Sequence, residues 1–138
     1  MPGCCLRVIG RRFDVHGYLE ESPFEPCVVW IRGERRSPRS PQTEHSGFNL
    51  VVSDAPGSDL PGQIGDAIQF MQDNIEELRR LSAMPEIDDM TLDFGIARRP
   101  VLVQSDHLPA PLIRLAGSLG LGIELTQYPV ALPDSESQ

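Results

Sequence analysis

The sequence contains no lysine, so all twelve of its cationic side chains are arginines. A Walker A loop requires a lysine at the phosphates, and a pyridoxal-phosphate enzyme requires one for its Schiff base. A Ser-x-x-Lys acyl enzyme requires one beside its serine. The missing lysine therefore excludes these three kinds of chemistry on this chain.

Cysteine is also scarce, with only Cys4, Cys5 and Cys27 in the sequence. An odd number without regular spacing does not form a disulfide framework. No Cys-x-x-Cys or His-x-x-x-His spacing is present to supply a metal site. We therefore expect no metal, and reduced, mostly buried thiols in a reducing compartment.

Long apolar runs are missing as well, since none approaches the ~20 residues that cross a bilayer. The start, "MPGCCLRVIG", lacks the apolar core of a signal peptide. We therefore expect a cytoplasmic protein. The net charge of −8 argues against binding to nucleic acid or an anionic membrane and is compatible with a basic protein partner.

Alternating and continuous apolar runs predict six strands. Their sequences are "CCLRVIG", "RRFDVHGYL", "CVVWI", "GFNLVVS", "MTLDFGI" and "GIELTQY". The third run, 27–31, is continuous and predicts a strand buried on both faces. Residues 32–47 are rich in Arg, Pro and Ser, and we expect a mobile loop or hairpin excursion there. "VLV", 101–103, is compatible with a short edge strand.

Two amphipathic segments predict helices. The first begins near Leu60, after a capping Ser58 or Asp59, and its apolar stripe continues to Leu81. The second spans about 108–119 and ends at Gly120. The sequence thus predicts an α+β fold, a mostly antiparallel sheet with two helices packed on one face. We expect one domain over residues 1–130 and an acidic, frayed tail at 131–138.

The stretch "QSDHLPAPLIRLAGSLGLG", 104–122, places Asp106 beside His107 and ends in three glycines. A catalytic pair is one interpretation, but sequence neighbours seldom orient one another, and no nucleophile motif is present. The glycines follow a helix and precede a strand, whereas a dinucleotide fingerprint has the opposite order. We interpret the stretch as the start and end of a helix, with Asp106 favourable at its N-terminus.

The only basic cluster of the sequence lies in the segment 32–39. Its candidate contacts for an anion or a partner are Arg32, Arg35, Arg36, Arg39 and the neighbouring Trp30. Guanidinium groups bind phosphate or carboxylate through paired hydrogen bonds. The alternative is a solvated loop whose charge is partly balanced by Glu34 and Glu44. Trp30 is correspondingly either an anchor for a partner or a core residue.

Four stretches together resemble a known family. These are "W-x-R-G-E-x-R" from Trp30 to Arg36, "SGFNLVVS", "SDLPGQI", and the end "LPAPLIRLAGSLGLGIELTQYP". The pattern resembles the bacterial family called domain of unknown function 4279, over about residues 6–130. The resemblance implies a small stand-alone bacterial domain. The family has no agreed activity, so the resemblance implies no catalytic residues.

The sequence favours a non-catalytic domain that acts by binding a protein, with toxin neutralisation (an immunity-type role) as the most specific form. It assigns no catalytic, cofactor-binding or metal-binding residues and predicts no cofactor; a homodimer is compatible with it. A basic partner would meet an acidic helix face made of Asp59, Asp66, Asp73, Glu76 and Glu77. The alternative is a small anionic-ligand binder or enzyme, with Arg32, Arg35 and Arg36 as clamps and His45 as base.

Overall fold

The computed structural model describes residues 3–129, so the predicted tail at 131–138 lies outside the described residues. Five strands and four helices follow one another along this part of the chain. In chain order they are β1 (Gly3–Gly10), α1 (Val15–Glu20), β2 (Val28–Trp30), β3 (Ser46–Ser53), α2 (Leu60–Asp73), α3 (Ile75–Ser82), β4 (Asp89–Ala97), α4 (Ala110–Ser118) and β5 (Gly122–Tyr128).

The five strands form one mixed sheet in the order β2-β3-β1-β4-β5. β1 pairs antiparallel with both β3 and β4, and β2 pairs antiparallel with β3. β5 lies parallel to β4, because α4 carries the chain back along the sheet before β5 begins. The α+β class is confirmed, and three of the four strand pairs are antiparallel as predicted, whereas the parallel pair β4–β5 makes the sheet a mixed one.

Alternation along the central strands separates a core face from an uncovered face of the sheet. Leu6 and Val8 of β1 lie opposite Leu50 and Phe48 of β3. All four are buried, as is Leu92 of β4 opposite Leu6. The helices pack on this face, which the apolar alternation of the strands predicts.

The segment 11–19 was predicted as a strand, and this prediction is wrong because it contains α1. The Asp14 side chain caps this helix by accepting a hydrogen bond from the Gly17 amide at 3.1 Å. Val15 and Tyr18 are buried, and the Tyr18 ring stacks on Phe48 at 5.9 Å. A local cap and this packing outweigh the weak β pattern of the segment.

The single long helix predicted from Leu60 to Leu81 is two helices, α2 and α3. Asn74 interrupts it at φ −122° and ψ 27°, and its side-chain amide donates to the Phe70 carbonyl at 2.9 Å. A short polar side chain that competes for backbone groups favours a helix end over a helix interior. This break and α1 raise the predicted two helices to four.

The prediction of a strand buried on both faces at 27–31 is wrong. β2 has only three residues and lies at the edge of the sheet, where Val28 and Val29 remain 37% and 36% exposed. The residues 101–103 form no strand and project into solvent. Gly120 ends α4 at φ +77°, which confirms the predicted left-handed position.

No helix within residues 3–129 combines the length and the apolar character that are required to cross a bilayer.

Candidate functional site

Six of the twelve arginines collect at one end of the sheet, which we call the arginine end. This end contains Arg11, Arg12, Arg32, Arg35, Arg36 and Arg39, all of them exposed. Arg11 and Arg12 follow the last residue of β1, which pairs with the first residue of β3. The other four lie in the hairpin between β2 and β3. Antiparallel pairing thus brings two separate stretches of sequence to one surface.

The hairpin that carries four of these arginines is ordered by its own hydrogen bonds. The Gly33 amide donates to the Thr43 carbonyl at 2.9 Å, and the Thr43 amide donates to the Glu34 carbonyl at 2.8 Å. Arg35 donates from Nη1 to the Ser40 carbonyl at 2.6 Å, across the turn. These bonds join the two arms of the hairpin and fix the side chain of Arg35.

Trp30 lies on the uncovered face of the sheet, beneath the hairpin. It pairs with Gly47 of β3, where an added Cβ would lie 2.9 Å from Trp30 Cζ2, so the glycine lets the indole approach the backbone. The Arg36 guanidinium covers the ring at 5.1 Å from its centroid, a cation–π geometry. Trp30 is half-buried in this stack, outside the core.

No carboxylate within residues 3–129 lies in ion-pair distance of the six guanidinium groups. The ion pairs of this part of the chain join Arg7 to Glu124, Arg80 to Glu77, and Arg99 to Asp106. At the arginine end, Arg32 donates instead to the Arg11 carbonyl at 3.3 Å. Two carboxylates lie nearby without pairing with a guanidinium group: Asp88 accepts a hydrogen bond from the Arg11 amide at 2.8 Å, and Glu86 and Asp88 line a cavity together with Arg11 and Arg12.

A shallow cavity of about 280 Å³ lies beside the stacked pair. It is lined by Val28, Val29, Trp30, Glu34, Arg35, Arg36 and Thr43. Of the predicted contacts, the structure therefore places Arg35, Arg36 and Trp30 together. Arg32 points to the β1–α1 turn, and His45, the suggested base, does not line this cavity.

A larger cleft of about 500 Å³, which we call the α2 cleft, lies between the start of α2 and the loop before α4. It is lined by Gly57, Ser58, Leu60, Pro61, Ile64, Gly65, Arg99, Ser105, Asp106, His107 and Pro109. The cleft is therefore lined by both Asp106 and His107, the two residues that the sequence offered as a possible catalytic pair.

The Asp106 carboxylate contacts side chains of its own loop and not the His107 imidazole. It accepts a hydrogen bond from Gln104 Nε2 at 3.0 Å and lies 3.5 Å from Arg99 Nη1. No hydrogen bond joins it to His107 in the part of the chain that the structure describes. The helix α4 begins after Pro109 without a side-chain cap, so Asp106 lies just before its N-terminus and makes no capping hydrogen bond there.

The strongest coupling of titratable groups lies in a separate place, between α1 and α3. Burial raises the pKa of Tyr18, and its hydrogen bond to the Glu77 carboxylate raises it further. Burial by itself would raise the pKa of Glu77, but hydrogen bonds from Arg80 and Tyr18 hold it below the usual range. This network joins two helices of the core and faces neither the cavity nor the α2 cleft.

The three thiols differ in exposure. Cys4 is buried, Cys5 is half-buried and Cys27 is exposed, so the expectation of mostly buried thiols holds for Cys4 alone. Burial raises the pKa of both Cys4 and Cys5. Residues 3–129 contain no group of three or more His, Cys, Asp and Glu side chains that could hold a metal ion.

The acidic helix face is largely engaged within the chain. Asp59 caps α2 through the Gly62 amide at 3.0 Å, and Asp66 accepts from Ser53 at 2.6 Å. Asp73 accepts from Gln69, while Glu77 belongs to the Tyr18 network. Contact of this face with a basic partner stays a prediction.

Sequence reasoning missed Arg11 and Arg12 as members of the same surface. The signal was the pair of arginines directly after a predicted strand, but their position depends on the pairing of Gly10 with Ser46. Strand partners 36 positions apart are not visible in local periodicity.

Comparison with known proteins adds a family. Residues 3–130 match the family described as Domain of unknown function (DUF4279). No curated protein and no solved structure matches the chain. The match covers nearly the whole sequence, so this chain belongs to the DUF4279 family of domains of unknown function.

Proposed function

We propose that this domain is a non-catalytic binding module whose contact surface is the arginine end and whose partner is an acidic surface on another protein. One observation carries the proposal: six exposed arginines share one end of the sheet, without a carboxylate in ion-pair distance within residues 3–129. The proposed partner has the opposite sign to the one that the net charge suggests, because guanidinium groups would make the contact and they bind carboxylates.

The guanidinium groups keep most of their hydrogen-bonding capacity for a partner. Arg32 and Arg35 each donate to one backbone carbonyl, and a guanidinium has five N–H donors. Their partly fixed orientation lowers the entropy lost on binding. Arginine and tryptophan are also the residues that most often dominate binding energy at protein interfaces, which supports Trp30 and Arg36 as the centre of the contact.

The shape of the surface favours a protein over a small anion. The two cavities at this end are small, about 280 Å³ beside Trp30 and about 320 Å³ beside Arg11 and Arg12, at the lower limit of the roughly 300–1,000 Å³ that ligand pockets occupy, and Glu86 and Asp88 line the second one. Glu34 lines the wall of the first cavity and would repel an anion held inside. Four of the arginines instead lie in the hairpin and two lie in the turn after β1, an arrangement that suits several separated carboxylates. Neutralisation of a toxin with an acidic surface is the most specific form of this proposal.

The test is binding of a labelled polyglutamate peptide to the whole chain, followed by fluorescence anisotropy and by the emission of Trp30, the sole tryptophan. We expect saturable binding that weakens as salt is added, since exposed charges are screened. Arg35→Glu with Arg36→Glu should abolish it. The control, Arg79→Glu with Arg114→Glu, makes the same charge change at exposed helical positions and should leave binding in place.

Equal loss of binding in both double variants would show that peptide binding depends only on the net charge of the chain, and this would contradict the proposal. Inorganic phosphate that binds as tightly as the peptide, with the same dependence on Arg35 and Arg36, would favour the small-anion alternative. A single-stranded oligonucleotide that binds more tightly than the peptide would replace the proposed partner.

A further inference from the structure

The tip of the hairpin between β2 and β3 is a closed turn that contains the same tripeptide twice. Residues 36–41 have the sequence Arg-Ser-Pro-Arg-Ser-Pro. The Ser40 amide donates to the Ser37 carbonyl at 3.1 Å, and the hydroxyl oxygens of these two serines lie 2.6 Å apart. Next to the turn, Arg35 pairs with Gln42 in an isolated antiparallel bridge. The tip is therefore an ordered β-turn.

The two serines of this turn differ in exposure. Ser37 is exposed, whereas Ser40 is half-buried. Each precedes a proline, which favours an extended backbone at the serine and has no amide hydrogen to join a strand ladder. Of the two, the Ser37 hydroxyl is therefore the one that an enzyme can reach in the folded chain.

Arginines surround this hydroxyl within the same turn. The Arg35 guanidinium donates to the carbonyl of Ser40, whose hydroxyl contacts that of Ser37. Arg36 directly precedes Ser37, and Arg39 follows it by two positions. Within residues 3–129, none of these three arginines forms an ion pair with a carboxylate. Guanidinium groups bind phosphate through strong paired hydrogen bonds, so the turn combines an accessible hydroxyl with groups that can bind a phosphate attached to it.

We propose that Ser37 is a phosphorylation site and that arginines of the same turn bind its phosphate, which withdraws them from an acidic partner. This regulation rests on the function proposed above. A phosphate on serine carries a charge of about −1.5 to −2 at pH 7. It pairs with guanidinium groups inside the chain and repels the carboxylates of the partner. The arginine end is thus available in the unmodified chain and blocked in the phosphorylated one.

The reaction is a phosphoryl transfer from a nucleoside triphosphate, and a separate protein kinase catalyses it. Ser37 Oγ forms a bond to the γ-phosphorus, and the bond from that phosphorus to the oxygen bridging to the β-phosphate breaks. The nucleoside diphosphate leaves, and the hydroxyl proton passes to a base of the kinase. This chain contributes only the accessible hydroxyl and the arginines that bind the product phosphate.

The first test is labelling of the folded chain by a proline-directed serine kinase with ATP and Mg²⁺, with the modified residues located by mass spectrometry. We expect phosphate on Ser37, also in the control variant Ser40→Ala. Ser22 likewise precedes a proline, but it is half-buried and donates to the Tyr18 hydroxyl at 3.0 Å, so it should take no label. The site is overturned if Ser37 stays unlabelled or if Ser40 takes the label in its place.

The second test measures what the phosphate does, in a chain with phosphoserine incorporated in place of Ser37. This chain should bind the labelled polyglutamate peptide at least about tenfold more weakly than the unmodified chain. Phosphoserine in place of Ser58 is the matched control, because Ser58 is exposed and lies beyond the end of β3, away from the arginine end. It should change binding less than about twofold. Equal weakening by both modifications, or none by the first, overturns the regulation.

Phosphorus NMR separates this inference from the binding function, because it requires no partner. Guanidinium groups that contact the phosphate on Ser37 should lower its second pKa below the usual value for phosphoserine. Arg35→Gln with Arg39→Gln should raise this pKa again. If the unmodified chain binds no polyglutamate while the phosphate shows this dependence, the binding function fails and the phosphate site remains. A pKa that is the same with and without the two arginines overturns the phosphate site.

Discussion

The phenol of Tyr18 on α1 donates a hydrogen bond to the carboxylate of Glu77 on α3, 59 positions further along the chain. Glu77 also accepts two hydrogen bonds from Arg80, at 3.1 and 2.8 Å. The Arg80 guanidinium lies 5.1 Å from the centroid of the Tyr18 ring. One carboxylate thus joins a short helix, which could not be stable alone, to the helical layer of the core.

Tyr18→Phe should lower the free energy of unfolding by about 1.5 kcal/mol, the lower end for a hydrogen bond to a charged group. The ring stack on Phe48 at 5.9 Å is retained, so the loss reports the hydroxyl alone. Urea denaturation should show this loss of stability as a lower midpoint concentration with an unchanged m-value. Tyr128→Phe, at the exposed end of β5, is the control and should change little. Equal effects would contradict the role assigned to the Glu77 bond.

Stability should fall at acid pH in part because of Glu77. Its pKa in the folded protein is below its ordinary value, since the bonds from Arg80 and Tyr18 outweigh the opposing effect of burial. The stabilisation is therefore complete above the unfolded pKa of about 4.3 and is lost as pH falls through the lower folded pKa.

Glu77→Gln should accordingly be less stable than the wild type at pH 7, and the difference should shrink as pH falls from 6 to 3. Urea denaturation at several pH values gives both curves. Glu76→Gln, on the exposed side of the same turn, should follow the wild-type curve. A difference between Glu77→Gln and wild type that is constant with pH would contradict the assignment.

Gln63 connects the loop before α2 to β4 and should be essential for stability. It is 0% exposed, and the two hydrogens of its Nε2 are shared among three carbonyls, those of Ala55 and Pro56 at 3.2 Å each and that of Gly95 at 2.8 Å. Gln63→Met keeps the side-chain length and removes these donated bonds, although the Asp59 amide still donates to the Pro56 carbonyl at 2.8 Å. It also removes the buried Gln63 Oε1, which has no hydrogen-bond partner within residues 3–129, so we expect a net cost of about 1–2 kcal/mol. Thermal and urea denaturation measure the loss. Gln69→Met, an exposed position on the same helix, should cost under 0.5 kcal/mol or so.

The three thiols should react with a thiol reagent in the order of their exposure. Cys27 is exposed and should react first in the native protein. Cys5 should be slower, because burial and then the nearby Cys27 raise its pKa, and only the thiolate is reactive. Cys4 should react only on unfolding. Cys27→Ser should remove the fast phase, and a fast phase that persists in this variant would contradict the order.

Much of the fold follows from local pattern. The alternation of Met90, Leu92, Phe94 and Ile96 predicted β4, and all four residues are buried. Gly120 was predicted as the left-handed end of the last helix and has φ +77°. These features depend on contacts close in sequence or on the side-chain period of one element, which the residues themselves encode.

The wrong predictions for 27–31 and 11–19 share a cause: the structure of each segment depends on the elements that it contacts in the whole fold. β2 has a continuous apolar sequence, yet its valines are partly exposed, because β2 is the first strand of the sheet and pairs only with β3. α1 forms in a weak β pattern because Asp14 caps it and Tyr18 packs on Phe48. A periodicity describes one segment, whereas burial depends on which segments become neighbours.

By itself, then, the sequence determined the α+β class and excluded the three kinds of chemistry that require a lysine. It also identified the candidate contact residues of the hairpin, which are Trp30, Arg32, Arg35, Arg36 and Arg39. Only the tertiary structure decided that Arg11 and Arg12 join that hairpin and that β5 runs parallel at the opposite edge. The reason is that these relationships depend on strand pairing and helix packing between distant segments, and no local pattern of residues specifies such contacts.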